Sequence, residues 1–209
     1  SNLSNLVNNS GTVASDVSGV GTARTELGGA TYGADKAIFA FGSTGSITNI
    51  KNLVNNSGVV AADVTGVGTS RHRLRAVKYG TDKAIFAYGY TGSFVSMSNL
   101  VNNSGVVAAD VTGVGTARYH MGAASYGSTG QAIFAYGHTQ PTSVSMSNLV
   151  SNSGVIAADV TGVGSARQSL AACTYGGDKC AFAYGGDNVS TKNLCSNTGV
   201  ISADVTGVG

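Results

Sequence analysis

The chain has few charged residues, one proline and no tryptophan. Charged residues make up 11% of its 209 residues, less than half of the roughly 25% that is usual in soluble domains. The net charge of +2 is small and the lysines and arginines are dispersed, so we expect no nucleic-acid partner. No apolar run approaches the roughly 18 residues that a membrane-spanning helix needs, so we expect no membrane insertion.

Groups that carry catalysis or bind metals are equally scarce. Glu26 is the only glutamate, which removes the commonest carboxylate-pair hydrolase designs. The histidines His72, His120 and His138 occupy different positions of the repeat described below and share no carboxylate or cysteine in sequence. A metal site or a Ser/His/Asp triad is therefore not expected. The sequence predicts a non-enzymatic protein with no catalytic residue, metal or cofactor.

Only three cysteines are present, and all lie in the last part of the chain. If Gly176 and Gly177 form a two-residue hairpin loop, Cys173 and Cys180 lie opposite each other and a disulfide can join them. Alternatively they replace small apolar residues, since the equivalent positions of other repeats hold alanine or valine. Cys195 stands where other repeats have valine, and a buried free cysteine behaves as a small hydrophobe. Both interpretations of Cys173 and Cys180 stay open.

What the chain does have is an internal repeat. The motif Asn-Leu-Val, or Asn-Leu-Cys in its last copy, recurs at spacings of 47, 47, 49 and 45 residues, beginning at Asn5, Asn52, Asn99, Asn148 and Asn193. A fixed period in this range is typical of repeat architectures. We therefore predict a single repeat domain, residues 1–209, with units 5–51, 52–98, 99–147, 148–192 and a partial unit 193–209.

Each unit contains four turn signals, which predict short strands between them. In the second unit the turns fall at 55–58, 63–66, 79–82 and 89–92, a rhythm of about 12 residues that is typical of strands. The predicted strands are 58–62, 68–79, 83–89 and 94–101. The run 84–88 is continuously apolar, which is typical of a strand covered on both faces.

Four strands in about 47 residues match one blade of a β-propeller. The block 71–89 and its copies resemble the repeats of the kelch-like propeller family, although the Gly-Gly pair of that family occurs only at Gly185-Gly186 and its usual tryptophan is absent. The wording Asp-Lys-Ala-Ile-Phe-Ala-Tyr-Gly is similar to repeat arrays in phage and giant-virus structural proteins and in some bacterial surface proteins. This resemblance implies an extracellular location, on a virion or a cell surface, and other protein chains as partners in self-assembly or surface assembly.

The number of half-units does not suit a closed ring. The Asn-Leu-Val half occurs five times, whereas the half from arginine to Tyr-Gly occurs four times. The sequence thus predicts an all-β protein, a β-propeller with four full four-stranded blades plus a partial one. The alternative is a β-solenoid or an open repeat array, which tolerates the extra half.

Three sets of repeated polar or aromatic residues are the candidate site residues. An aspartate and an arginine recur eight residues apart, and we expect a structural salt bridge or turn cap because they occur in each full unit: Asp16, Arg24, Asp63, Arg71, Asp110, Arg118, Asp159 and Arg167. Hairpin-turn aspartates and nearby tyrosines are candidate ligand contacts at the blade edges: Asp35, Asp82, Asp178, Tyr32, Tyr79, Tyr126 and Tyr175. Tyrosines of this kind also pack between blades, and that alternative is kept.

Two functional classes follow from these observations. The first is a structural or adhesive repeat protein that binds glycans or partner proteins through equivalent blade-edge sites, where several weak contacts add avidity. The second is an enzyme with its active site in the central channel of the propeller, which requires a non-repeated polar cluster at the ring centre. The repeated character of the candidate residues favours the first class.

Overall fold

The structure, a computed structural model, describes residues 1–207. This part of the chain is all-β, with one short 3-10 helix at Gly186–Asn188. Its twelve strands are β1 Gly28–Tyr32, β2 Lys36–Ala40, β3 Lys51–Val54, β4 Arg75–Tyr79, β5 Lys83–Ala87, β6 Ser98–Val101, β7 Gly122–Tyr126, β8 Gln131–Ala135, β9 Ser147–Val150, β10 Ala171–Tyr175, β11 Lys179–Ala183 and β12 Lys192–Cys195.

The strands form four three-stranded antiparallel sheets, each made of three consecutive strands. Sheet 1 contains β1 to β3, sheet 2 contains β4 to β6, sheet 3 contains β7 to β9 and sheet 4 contains β10 to β12. Each begins with a hairpin whose turn contains a glycine at positive φ, such as Gly80 at φ 58°, a conformation that glycine adopts without strain. The predicted apolar strand is confirmed: Ala84, Ile85, Phe86 and Ala87 are all fully buried.

The predicted fourth strand of each blade is not formed as a continuous strand. In the first of these segments only isolated bridges, Val54 to Val60 and Lys51 to Val64, join the chain to β3. The side chain of Asn52 takes over part of the ladder, because its Nδ2 donates to the carbonyl oxygen of Ala61 at 3.0 Å. The four-stranded blade is therefore corrected to a three-stranded sheet with a bridged return segment.

The sheets stack on one another, and the hydrophobic cores lie between them. Between sheets 2 and 3, Ile85 and Tyr88 pack against Met121 and Phe134, and equivalent clusters join sheets 1 and 2 and sheets 3 and 4. The inner sheets are thus covered on both faces. A three-stranded sheet cannot bury both faces by itself, so each depends on its neighbours for stability.

The stack is an open series and not a closed ring. Strand β1 contacts β4, β4 contacts β7 and β7 contacts β10, and no comparable contact among residues 1–207 joins β10 to β1. The outer faces of the end sheets accordingly stay uncovered: Phe39 of sheet 1 is 39% exposed and Tyr184 beside sheet 4 is 54% exposed. Four sheets stacked in series are what is observed, without a closed propeller and without a fifth partial blade after sheet 4.

The sheets also group the strands in a different phase from the units counted in the sequence. Each Asn-Leu-Val strand pairs with the apolar strand that precedes it, as β3 pairs with β2. Segment 193–207 therefore completes sheet 4 through β12. The surplus half lies instead at 1–20, where the bridges Ser4 to Val17 and Val7 to Val13 reproduce a third strand and its return segment without a hairpin.

The register of the last hairpin corrects the predicted opposition of two cysteines. Three residues separate β10 from β11, so Cys173 lies opposite Ala181, and Cys180 lies opposite Cys195. All three cysteines are free. Cys180 and Cys195 are buried between sheets 3 and 4, which agrees with their interpretation as small apolar residues.

Candidate functional site

The repeated tyrosines proposed as ligand contacts lie mainly in the cores. Tyr32, Tyr79 and Tyr126 are 3–5% exposed and each packs beneath a turn glycine of the next sheet; Gly105 covers Tyr32 in this way. Tyr175 of sheet 4 has no following sheet and is 39% exposed. Packing between the sheets, and not an open ring face, is the environment of the first three.

The hairpin-turn aspartates remain at the surface. Asp35, Asp82 and Asp178 each lie beside the next lysine, with the lysine Nζ 3.4, 3.9 and 3.0 Å from the carboxylate. Such exposed pairs contribute little to stability. The turns are joined to one another, since the backbone N–H of Gly33 donates to the carbonyl oxygen of Asp82 at 2.7 Å. Beside them runs an open groove of about 480 Å³ lined by Thr31, Lys78, Ser125 and Thr174, among others.

The repeated arginines and aspartates form structural clusters, but with different partners from those in sequence. Each arginine faces the aspartate of the following sequence unit: Arg118 Nη1 lies 3.8 Å from Asp159 Oδ1, and Arg24 Nη1 lies 3.6 Å from Asp63 Oδ1. The cause is the phase of the sheets, since both members of each such pair belong to the same sheet. An arginine and the aspartate eight residues before it form no salt bridge among the described residues.

A buried asparagine links the two charges in sheet 3. Arg118 Nη2 donates to Asn148 Oδ1 at 2.6 Å, and Asn148 Nδ2 donates to Asp159 Oδ1 at 2.9 Å. The same carboxylate accepts from the backbone N–H and the hydroxyl of Thr116. Partial burial would raise the pKa of Asp159, but the hydrogen bonds from Thr116 and Asn148 outweigh it and lower the pKa. Burial lowers the pKa of the equivalent Arg71 to about 10.

Some positions of the repeat hold a different residue in each unit. Their residues come together at the end of the sheets opposite the hairpin turns. Glu26, Arg73, His120 and Ser169 occupy the same position in the four sheets, each with φ between 54° and 57°. Their backbones form a ladder, in which the N–H of Arg73 donates to Glu26 O at 2.9 Å and the N–H of His120 donates to Arg73 O at 3.3 Å. This ladder aligns four different side chains in one row.

Charged and imidazole groups of this row interact directly. Glu26 lies 2.6 Å from His72 Nδ1, 2.9 Å from Arg73 Nε and 3.8 Å from His120 Nε2. Partial burial would raise the pKa of Glu26, but the hydrogen bonds from Arg73 and His72 outweigh it and lower the pKa. Burial lowers the pKa of His120, with partial opposition from a hydrogen bond to Gln168, so neutral imidazole is favoured at neutral pH.

An aromatic group adjoins these charges. The rings of Phe94 and Tyr119 are stacked, with centroids 5.1 Å apart and an interplanar angle of 9°. Tyr90 and His138 lie edge-on or tilted against them, and the guanidinium of Arg73 lies 5.2 Å from the centroid of Tyr119. All five side chains are partly exposed. We call the combined patch the variable edge: Glu26, His72, Arg73, Tyr90, Phe94, Tyr119, His120 and His138.

The variable edge brings His72 and His120 to one carboxylate, Glu26, which their sequence positions did not indicate. The three histidines occupy different positions in the repeat, yet adjacent loops at one end of the stack bring them together. The sequence contained a usable signal: the two residues after the repeated arginine read Thr-Glu, His-Arg, Tyr-His and Gln-Ser, whereas the strand after the hairpin turn reads Ala-Ile-Phe-Ala in three of four copies. The positions at which the units differ, and not those at which they agree, therefore identify the variable edge.

The variable edge combines aromatic, hydrogen-bonding and charged side chains. No serine, threonine or cysteine hydroxyl or thiol within residues 1–207 hydrogen-bonds to one of the histidines, and no group of three or more potential metal ligands is found there. Aromatic faces, hydrogen-bond donors and one carboxylate are what it offers to a ligand.

Of the helices in the described part of the chain, none is long and apolar enough to cross a membrane.

No known protein-family model matches the chain, and no curated protein sequence matches it.

Proposed function

We propose that this chain is a non-enzymatic structural or adhesive repeat protein that binds a glycan or a partner protein through the variable edge. The observation that carries the proposal is the location of the sequence differences between units. The second and third strands of each sheet and the Arg–Asn–Asp clusters keep nearly the same residues, while the loops at one end gather different aromatic and polar side chains. In repeat proteins, loops that vary on one face of a more constant scaffold often form the binding face.

The composition of the edge favours a sugar as the first ligand class to test. A partly exposed aromatic ring offers an apolar face, to which tyrosine adds a polar hydroxyl. Arg73 lies over Tyr119, and Glu26 contacts both Arg73 and His72, so hydrogen-bonding groups adjoin the ring. Weak binding at one edge gains strength when several copies are displayed together. An extracellular position, on a virion or a cell surface, is consistent with such a role and is part of the proposal.

A kelch-like propeller is the alternative to the open series of sheets. It requires the uncovered face of sheet 4 to meet that of sheet 1, so that Tyr184 and Phe39 become buried as their counterparts are between the inner sheets. The series of sheets supports blade-like stacking, and ring closure is the additional step.

An immobilised glycan array tests the adhesive function. We expect the wild-type chain to bind a subset of glycans and Tyr119→Ala to lose at least tenfold in affinity, the size of effect typical of an anchor residue. Asp82→Ala, at the hairpin turns, is the matched control and keeps wild-type binding. Glycan binding that is lost in Asp82→Ala and kept in Tyr119→Ala would move the site to the hairpin turns. No binding above background by the wild type would refute adhesion to glycans.

A further inference from the structure

The two ends of the stack carry complementary halves of the contact that joins its sheets. We infer that a second copy of this chain docks head to tail, with the exposed face of its sheet 4 against the exposed face of sheet 1. This interface is separate from the variable edge and does not depend on it.

The contact between consecutive sheets has three equivalent copies inside the chain. In each, an aromatic ring of one sheet lies 5.4–5.6 Å from a phenylalanine of the next, as Tyr88 does from Phe134. The arginine of that next sheet lies over the same ring, 4.1–4.6 Å from its centroid, as Arg118 does over Tyr88. The aromatic residue is thus held between a ring edge and a guanidinium.

Sheet 1 presents the receiving half of this contact without an occupant. Phe39 is 39% exposed, while its counterparts in the other sheets are fully buried. Arg24 has buried Nε and Nη1 atoms with no hydrogen-bond partner. In front of these two residues lies a cavity of about 330 Å³, also lined by Leu3, Leu27 and Val60.

Sheet 4 presents the inserting half. Tyr184 is 54% exposed, whereas its counterparts Phe41, Tyr88 and Tyr136 are fully buried. Tyr175 and Leu194 on the same face are each 39% exposed. An aromatic ring that inserts beside Arg24 and Phe39 would reproduce the internal contact, so a sheet of this same repeat is the occupant that the cavity fits.

Residues 1–20 control access to the receiving face. Their bridges, Ser4 to Val17 and Val7 to Val13, repeat those of the return segment after β12, Lys192 to Val205 and Cys195 to Ile201. A docked sheet 4 would therefore place its β12 where residues 4–7 lie, and one segment must yield. Residues 1–20 are weakly held: their large apolar side chains are all 44–62% exposed.

Such an interface is heterologous, because two different surfaces meet. Repetition of one heterologous contact yields rings or open chains of copies. The displaced segment sets the affinity, since each association has to move residues 1–20 away from sheet 1. Removal of these residues is expected to strengthen association at least tenfold.

Sedimentation equilibrium over a concentration series up to about 1 mM, the weak end of specific association, tests the inference. We expect the wild type to form species of increasing size, and the exposed-face variants Tyr184→Ser and Phe39→Ser to be monomeric when studied separately. An equimolar mixture of these two variants should stop at dimers. Tyr184→Ser keeps an intact sheet 1 face and Phe39→Ser keeps an intact sheet 4 face, so the mixture can form only one kind of contact. Val155→Ser, at an exposed valine away from both ends, should behave as the wild type.

Two further readouts keep the test decisive. Cys173 is exposed on sheet 4, and its alkylation should slow as association proceeds. A chain lacking residues 1–20 should associate more tightly, with circular dichroism as the check of its fold. A wild type and a shortened chain that both stay monomeric throughout the concentration range would overturn the inference. So would a mixture of the two variants that stays monomeric while the wild type associates.

Discussion

The arginine in the middle of the stack should be far more important for stability than its equivalent in sheet 1. Arg118 is fully buried and donates to the carbonyl oxygens of Thr116 and Tyr136 as well as to Asn148 Oδ1. Its guanidinium also lies over the ring of Tyr88. Arg118→Met keeps much of the apolar stem but leaves these acceptors without a donor inside the stack.

The structure sets the expected size of this effect. Removal of one member of a buried charged network costs about 3–5 kcal/mol. We expect the lower end, about 3 kcal/mol, because the side chain of Asp159 is still 32% exposed to water. Arg24→Met is the matched control. It removes a hydrogen bond to Asn52 and the ion pair with Asp63, but it also removes two buried nitrogens that make no hydrogen bond, so we expect a loss of about 1 kcal/mol.

Urea denaturation followed by circular dichroism, together with native-state hydrogen exchange, measures the difference. Hydrogen exchange is needed because a repeat array can lose its sheets one by one, which makes a single global free energy inadequate. Amides of sheets 2 and 3 should lose protection in Arg118→Met and keep it in Arg24→Met. Equal losses in the two variants would refute the claim that the contact between sheets gives the arginine its importance.

Three further outcomes follow from the same structure. Gly122→Ala should destabilise the chain by about 1–3 kcal/mol, measured by denaturation, because a Cβ there would lie 2.7 Å from the ring of Phe182; unchanged stability would contradict the close packing of sheets 3 and 4. Thiol alkylation under native conditions should modify Cys173 alone, since the other two cysteines are buried, and three rapid reactions would contradict that core. The stability that the cluster aspartates contribute should be fully present above the ordinary aspartate pKa of about 4 and be lost as the pH decreases below it, since their pKa values are lowered in the folded state by hydrogen bonds; a melting temperature that is flat from about pH 4 to about pH 2 would contradict this linkage.

The strands and turns could be predicted from local sequence because local chemistry determines them. The run 84–88 indicated a strand covered on both faces, and Ile85 and Phe86, which lie on opposite faces, are indeed both buried. The fourth strand could not be predicted correctly, because the competing interaction is a side chain from elsewhere. The side chain of Asn52 donates to the carbonyl oxygen of Ala61, and no residue in the segment 58–62 indicates this hydrogen bond.

The site residues were predicted less well because their surroundings depend on how the sheets stack. Where one unit ends and the next begins depends on whether the third strand pairs with the apolar strand before it or after it. The repeated sequence looks the same in both cases, so it does not decide between them. The exposure of a tyrosine depends likewise on whether another sheet follows, so Tyr32 is 3% and Tyr175 is 39% exposed although their local sequences match. The variable edge was missed because residues in different repeat positions, such as His72 and His138, become neighbours only through the loops.

Four sheets stack in an open series with their cores between them. Spin labels on cysteines introduced at equivalent hairpin turns test it directly, in a Cys173→Ala background. One pair joins sheets 1 and 4, at Asp35 and Asp178, and the reference pair joins the adjacent sheets 3 and 4, at Ser128 and Asp178. Because the stack is open, the first pair should be clearly farther apart than the second, well beyond the roughly 10 Å spacing of packed sheets. Equal distances for the two pairs would mean a closed four-bladed ring and would rule out the open series.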